Sequence, residues 1–272
     1  MTVPPPPKTP VRAGKPSVPP PPEDPDEFRM PLIEHLKELK NRLLWALAAV
    51  GVGVAISFFF TDQILEWLTT PIRDALRESG VEGGLVINSA FEGVQVWMKV
   101  AILSGLLLGS PVVAWQIWAF VAPGLYSQER RTVAPLAFSS TVLFSSGALF
   151  CYYVVLPRAF PFLLQVIDVT SNLSIEAYLG TMINMMLAFG ACFQLPVITW
   201  FLARLGLIDH RDMIKFFRYA IVAIFVVSAV ITPDPSVITQ SMLAVPLTLL
   251  YCISIGIAYV ATTKGKELTE ET

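Results

Sequence analysis

Six stretches of the chain are almost continuously apolar: about 43–60, 94–121, 133–156, 178–203, 219–232 and 237–261. A helix needs about 20 apolar residues to cross a bilayer core. The fifth stretch is short for a full crossing. It either thins the bilayer around it or forms a re-entrant hairpin with the sixth. Residues 30–42 are patterned differently. Leu32, Leu36, Leu39 and Leu43 fall on one helical face, and Glu34, Glu38 and Arg42 fall on another. The spacing predicts an amphipathic helix that leads from the membrane surface into the first span.

The connections are uneven. An outer loop over about 61–93 carries Ile64, Leu65, Leu68 and Ile72 at helical spacing, with Pro71 interrupting them and Gly83-Gly84 marking a turn. A second outer loop, about 157–177, carries Pro157 and Pro161, then an apolar patch, Phe160, Phe162, Leu163 and Leu164, that caps the outer ends of the spans. Asn172-Leu173-Ser174 matches a glycosylation sequon, a pattern frequent by chance. Residues 1–29 hold 11 of the 22 prolines and almost no large apolar side chains. Such a segment buries too little surface to offset its ordering entropy, which predicts a disordered tail with polyproline character. Residues 262–272 form a second polar tail.

Charge orders these spans. With the N-terminus in the cytoplasm, one side collects Lys8, Arg12, Lys15, Arg29, Lys37, Lys40, Arg42, Arg130, Arg131, Arg204, Arg211, Lys215, Arg218, Lys264 and Lys266. The other side holds Arg73, Arg77, Lys99 and Arg158, so 15 of the 19 basic residues share a side. The acids divide 12 to 9, so the bias belongs to Lys and Arg, as the positive-inside rule requires. The predicted fold is an all-α membrane protein with six spans, spans five and six short, and both ends cytoplasmic. At 54% apolar residues the chain is far from a soluble domain, and the spans leave no room for a second one. The first apolar run lies behind a long polar tail and reads as a retained span rather than a cleaved signal peptide. Nothing points to nucleic acid.

Chemistry is sparse. Cys151, Cys192 and Cys252 lie in apolar stretches at spacings that suit neither a metal site nor a disulfide framework, so they read as small buried hydrophobes. There is no HExxH, GxSxG or phosphate-binding glycine loop, and His35 and His210 are far apart. No enzyme, cofactor or metal is expected. Ionisable groups at membrane depth mark function by default, and the spans have almost none. Lys99 and Glu92 stand near an outer boundary, and Asp234 sits in the turn between spans five and six. The deep polar groups are mainly Asn184 and Gln194, with Gln240 less deep. Pro196 frees the carbonyl of Cys192, and the Gln194 amide two residues earlier can satisfy part of that defect or meet another helix. Gly105 and Gly109 permit close helix approach, best read as internal packing.

Two cytoplasmic carboxylates remain, Glu38 on the amphipathic helix and Glu129 in the loop after span two. Each has a plain role: Glu38 can pair with Arg42 at i, i+4, and Glu129 with Arg130 or Arg131. Together they suit a ligand with two guanidinium groups, which a carboxylate binds through directional, charge-assisted bonds.

Longer motifs carry a family resemblance. The runs Pro31-Leu32-Ile33-Glu34-His35-Leu36-Lys37-Glu38-Leu39 and Lys40-Asn41-Arg42-Leu43 resemble the N-terminal motif of TatC, the core subunit of the twin-arginine protein translocase. The segment from Pro111 to Tyr126, continuing into Glu129-Arg130-Arg131, is similar to that family's second span and first cytoplasmic loop. So are Ala188-Phe189-Gly190, Phe193-Gln194-Leu195-Pro196, Thr232-Pro233-Asp234 and Ala244-Val245-Pro246. The resemblance covers about 30–261 and implies six helices with both ends cytoplasmic in a bacterial inner membrane. It implies a receptor for folded proteins bearing twin-arginine signal peptides, with Glu38, Glu129, Phe120 and Arg131 at the signal site. It also implies single-span TatA-type and TatB-type partners, with Gln194 and Asp234 as helix contacts, self-association, and export driven by the proton-motive force. Many relatives have glutamate where Gln194 and Cys252 stand; the Gln194 amide keeps the hydrogen bonds without the charge, and no polar role is carried onto Cys252. The alternative function is a small-solute secondary transporter, which requires an internal repeat and a polar midplane cavity.

Overall fold

The computed structural model describes residues 32–78, 84–121, 132–167, 173–232 and 237–270. The Pro-rich tail, the Gly83 turn and the sequon at Asn172 fall outside them. Ten α-helices are described: α1 Leu32–Phe58, α2 Thr61–Glu78, α3 Ala90–Val121, α4 Val133–Phe150, α5 Leu156–Ile167, α6 Ile175–Cys192, α7 Leu195–Arg204, α8 His210–Lys215, α9 Phe217–Ile231 and α10 Val237–Glu270. Two short parallel strands, β1 Leu85–Val86 and β2 Leu173–Ser174, pair beside α3 and α6.

Among the described residues, five helical segments are long and apolar enough to cross a membrane: Ile33–Phe58, Ala90–Val121, Val133–Phe162, Ile175–Arg204 and Gln240–Thr262. The sixth apolar helix, α9, has 15 residues. At about 1.5 Å per residue it spans roughly 22 Å, against about 30 Å of bilayer hydrocarbon.

The main core lies at one end of the bundle. There Leu68 and Ile72 of α2, Val100 and Leu103 of α3, Leu156 and Phe160 of α5, Leu179, Met182, Met186 and Phe189 of α6, and Leu243 of α10 are buried together. A smaller cluster at the other end joins Trp118, Leu136, Ala137, Val197 and Phe201.

Several sequence expectations change here, and helix-compatible prolines explain two of them. The first outer loop was expected to hold a helix broken at Pro71, but α2 runs through it. Proline removes the N–H that would reach the carbonyl four residues earlier, here that of Trp67. The Tyr152 hydroxyl donates to that carbonyl at 2.6 Å, and its ring stacks on Trp67 at 4.0 Å. The neighbouring Leu68 carbonyl accepts from the Tyr178 hydroxyl at 2.9 Å. In α3 the same defect arises at Pro111 and has a local remedy: the Ser110 hydroxyl donates to the Leu107 carbonyl at 2.7 Å.

The second outer loop is in large part helical. A π turn, Cys151–Val155, joins α4 to α5, and the Leu156 N–H reaches back five residues to the Cys151 carbonyl. That wide turn loosens the ladder just ahead of Pro157 and lets the helix continue. Of the expected capping patch, Phe160 and Leu164 are buried, Phe160 against the Tyr178 ring at 4.9 Å. The fourth apolar stretch is two helices, α6 and α7, separated by Phe193-Gln194. The last helix continues to Glu270, across the expected tail at 262–270. Of the three free cysteines, Cys151 alone is fully buried, Cys192 is half-buried and Cys252 is exposed, so the uniform buried reading fails for the last two.

Candidate functional site

Close backbone packing between α1 and α3 builds the first site. A Cβ on Gly53 would stand 2.5 Å from the Gly105 carbonyl oxygen, and one on Gly105 2.5 Å from the backbone nitrogen of Val54. A Cβ on Gly109 would lie 3.2 Å from the Val50 backbone. The two helices therefore touch along their main chains, and Gly105 and Gly109 act inside the molecule, as expected. The antiparallel register continues along the pair and brings His35 of α1 against Phe120 of α3. Their rings stack at 4.4 Å with an 18° tilt.

One turn along α1 from His35, Glu38 meets Arg42. The guanidinium donates from Nε at 2.9 Å and from Nη2 at 2.5 Å, both to Oε1 of the carboxylate. The Glu38 side chain is 21% exposed and that of Arg42 26%. The other carboxylate oxygen, Oε2, is buried and has no hydrogen-bond partner among the described residues. The pair lies in an open groove of about 650 Å³, walled by Lys37, Asn41 and Trp45 of α1 and Trp115 and Gln116 of α3. Such a groove offers an anionic acceptor for a planar cation, with indole faces for its apolar flank. Sequence reasoning singled out Glu38 and Phe120. It missed His35 as the partner of Phe120, and Trp45 and Trp115 as groove walls, because only the α1–α3 register brings them together. Glu129 and Arg131 lie outside the described residues, as does Asp234.

A second polar cluster ties three helices together at depth. Gln194, at the α6–α7 break, donates its amide Nε2 to the Ser140 carbonyl of α4 at 2.9 Å. The side chain thus serves a neighbouring helix rather than the Cys192 carbonyl freed by Pro196. The Ser140 hydroxyl accepts from the Trp118 indole Nε1 at 2.7 Å. Trp118 also meets the Phe201 ring edge-on at 4.9 Å. Beside this cluster opens an apolar recess of about 330 Å³, lined in part by Ser110, Ile117, Phe144 and Ile198. Asn184, the other deep polar residue expected from sequence, is exposed.

At the far end, Glu92 holds the start of α6. Its Oε1 accepts from the Ser174 hydroxyl at 2.5 Å and the Glu176 N–H at 3.4 Å, and its Oε2 from the Asn88 N–H at 2.5 Å. Ser174 caps α6 by accepting from the Ala177 N–H at 3.2 Å. Lys99 pairs with Glu176, and its ammonium lies over Gly180, where a Cβ would come within 3.2 Å of Nζ. Among the described residues no cluster of three or more His, Cys, Asp or Glu side chains could hold a metal ion.

Comparison with known proteins gives a single family. The family model for the Sec-independent protein translocase protein (TatC) matches residues 34–246. The TatC protein of Aquifex aeolicus is 39% identical over 243 residues, covering 88% of this chain and 99% of the relative. That of Koribacter versatilis is 35% identical over 243 residues, covering 89% and 90%. A crystal structure described as the twin arginine translocase receptor TatC superposes with a TM-score of 0.74 at 37% identity, covering 84% of this chain and 99% of that one. Proteins of this family are components of a translocase, not catalysts of a chemical reaction. The chain belongs to the TatC family, core components of the twin-arginine translocase in the bacterial inner membrane.

Proposed function

We propose that this protein is the signal-receiving core of its translocase, and that the groove between α1 and α3 takes the paired arginines of a twin-arginine signal peptide. One observation carries this reading: Glu38 already binds a guanidinium through two N–H groups, in an open groove with aromatic walls. Glu129 supplies the second carboxylate, with Arg131 holding its loop at the membrane surface and Phe120 backing the groove through His35. The groove faces the cytosol, both chain ends lie there, and α9 completes six crossings by drawing the bilayer thin around it.

The apolar part of the signal runs along the helices, where lipid and helix contact stabilise it, while the arginines set specificity. Single-span partners of the TatA and TatB type dock near α6 to α10, with Gln194 and Asp234 among the contact points. Because the Gln194 amide already serves Ser140, the apolar recess beside it is the larger part of that contact. The assembly contains further copies of this chain and draws on the proton-motive force.

The test is photo-crosslinking of a twin-arginine peptide to the protein in inverted membrane vesicles. Glu38→Ala and Glu129→Ala should each weaken capture by about 1–3 kcal/mol, roughly five- to 150-fold, with Glu129 the more sensitive. Replacing the two signal arginines by lysines should do the same in the unaltered protein. Undiminished capture by the double variant would remove both carboxylates from the site.

A further inference from the structure

The Glu38 carboxylate is closed in the free protein. Two donors of Arg42 occupy Oε1, and Oε2 is buried without a partner. An arriving guanidinium therefore finds neither oxygen open. Arg42 is chemically the same group as the proposed ligand, tethered one helical turn away. We propose that Arg42 is an intramolecular latch: it occupies the ligand's place on Glu38, and the incoming signal arginine displaces it. This rests on the proposed role of Glu38 and adds a regulatory residue to it.

The alternative, that Arg42 stays and shares the carboxylate, requires an open second oxygen, and Oε2 is buried. Once released, Arg42 has a destination. Its stem rises from the membrane-surface stretch of α1, within reach of lipid phosphate and water. The latch raises the threshold for every cation alike, because it leaves before the ligand seats. It thus screens weakly held basic peptides from the groove without contributing to the choice between arginine and lysine.

The size of the effect follows from population arithmetic. An i, i+4 ion pair with partly exposed partners favours its closed form by a factor of about two to five. Apparent affinity falls in proportion to the open fraction, so releasing the latch should tighten binding about threefold to sixfold.

The experiment titrates labelled RR and KK signal peptides against the full chain in nanodiscs at fixed ionic strength, reading fluorescence anisotropy. R42Q should tighten RR binding about threefold to sixfold and KK binding by the same factor, leaving their ratio unchanged. K40Q removes the same charge from α1 at an exposed position, and its effect should stay below about twofold. In an E38Q background, R42Q should do no more than K40Q. If R42Q weakens binding, or matches K40Q, the latch is wrong while the Glu38 site stands. If E38Q binds the RR peptide as the unaltered protein does, the underlying site is wrong and the latch with it.

Discussion

The bond between Tyr152 and the Trp67 carbonyl makes a sharp energetic expectation. Tyr152→Phe keeps the ring, its burial and its stacking on Trp67, and removes one hydroxyl. What that hydroxyl leaves behind depends on residue 71. With Pro71 in place, the usual helical donor to the Trp67 carbonyl does not exist, so the variant strands a partly buried acceptor. A stranded buried acceptor costs about 1–3 kcal/mol in soluble proteins. Interhelical bonds within membranes run lower, about 0.6 on average and at most about 1.7 kcal/mol. We expect about 1–1.5 kcal/mol here, because no rival donor is built into the helix.

Pro71→Ala restores an N–H four residues after Trp67. In that background Tyr152→Phe should cost less than about 0.5 kcal/mol, a coupling of about 1 kcal/mol between positions 71 and 152. The assay is SDS-driven unfolding in mixed micelles of the four proteins of the cycle, followed by far-ultraviolet circular dichroism. An equal cost of Tyr152→Phe in both backgrounds would refute the account of how α2 tolerates its proline.

Two other expectations follow from packing and charge. Gly105→Ala drives a Cβ into the Val54 backbone and should cost about 1–3 kcal/mol by the same unfolding assay. Gly51→Ala meets nothing within 4 Å and should be neutral or slightly stabilising. Glu176→Gln leaves the Lys99 ammonium without its carboxylate and should lower the midpoint of unfolding, and adding Lys99→Met should recover part of the loss. A double variant less stable than Glu176→Gln alone would assign Lys99 a role independent of the pair.

The bundle was legible where a single periodicity decides the matter. The apolar runs appear as long helices, and the start of α1 carries the Glu38–Arg42 pair that its i, i+4 spacing suggests. Prolines misled because a proline's cost depends on what supplies the missing bond. For Pro71 the donor stands 85 positions away from the carbonyl it serves, on another helix, and nothing local announces it. For Pro157 the remedy is a widened turn, a backbone form without a residue signature. Gln194 stands beside Pro196 in sequence, which suggested a local repair, yet its acceptor lies 54 positions away on α4. The site divides the same way. Glu38 could be named from sequence, whereas the groove around it exists because two helices meet main chain to main chain.

Three of the fastenings described above meet on α3. Bare backbone contact joins it to α1, the Trp118 indole binds it to α4, and the Lys99–Glu176 pair anchors it to α6. Its 32 residues make a rod of about 48 Å. A mechanical load applied at the groove is accordingly carried by one strut to the opposite end of the bundle, and all the attached helices resist it together. A pull on the groove would tilt the whole frame before it drew any single helix loose.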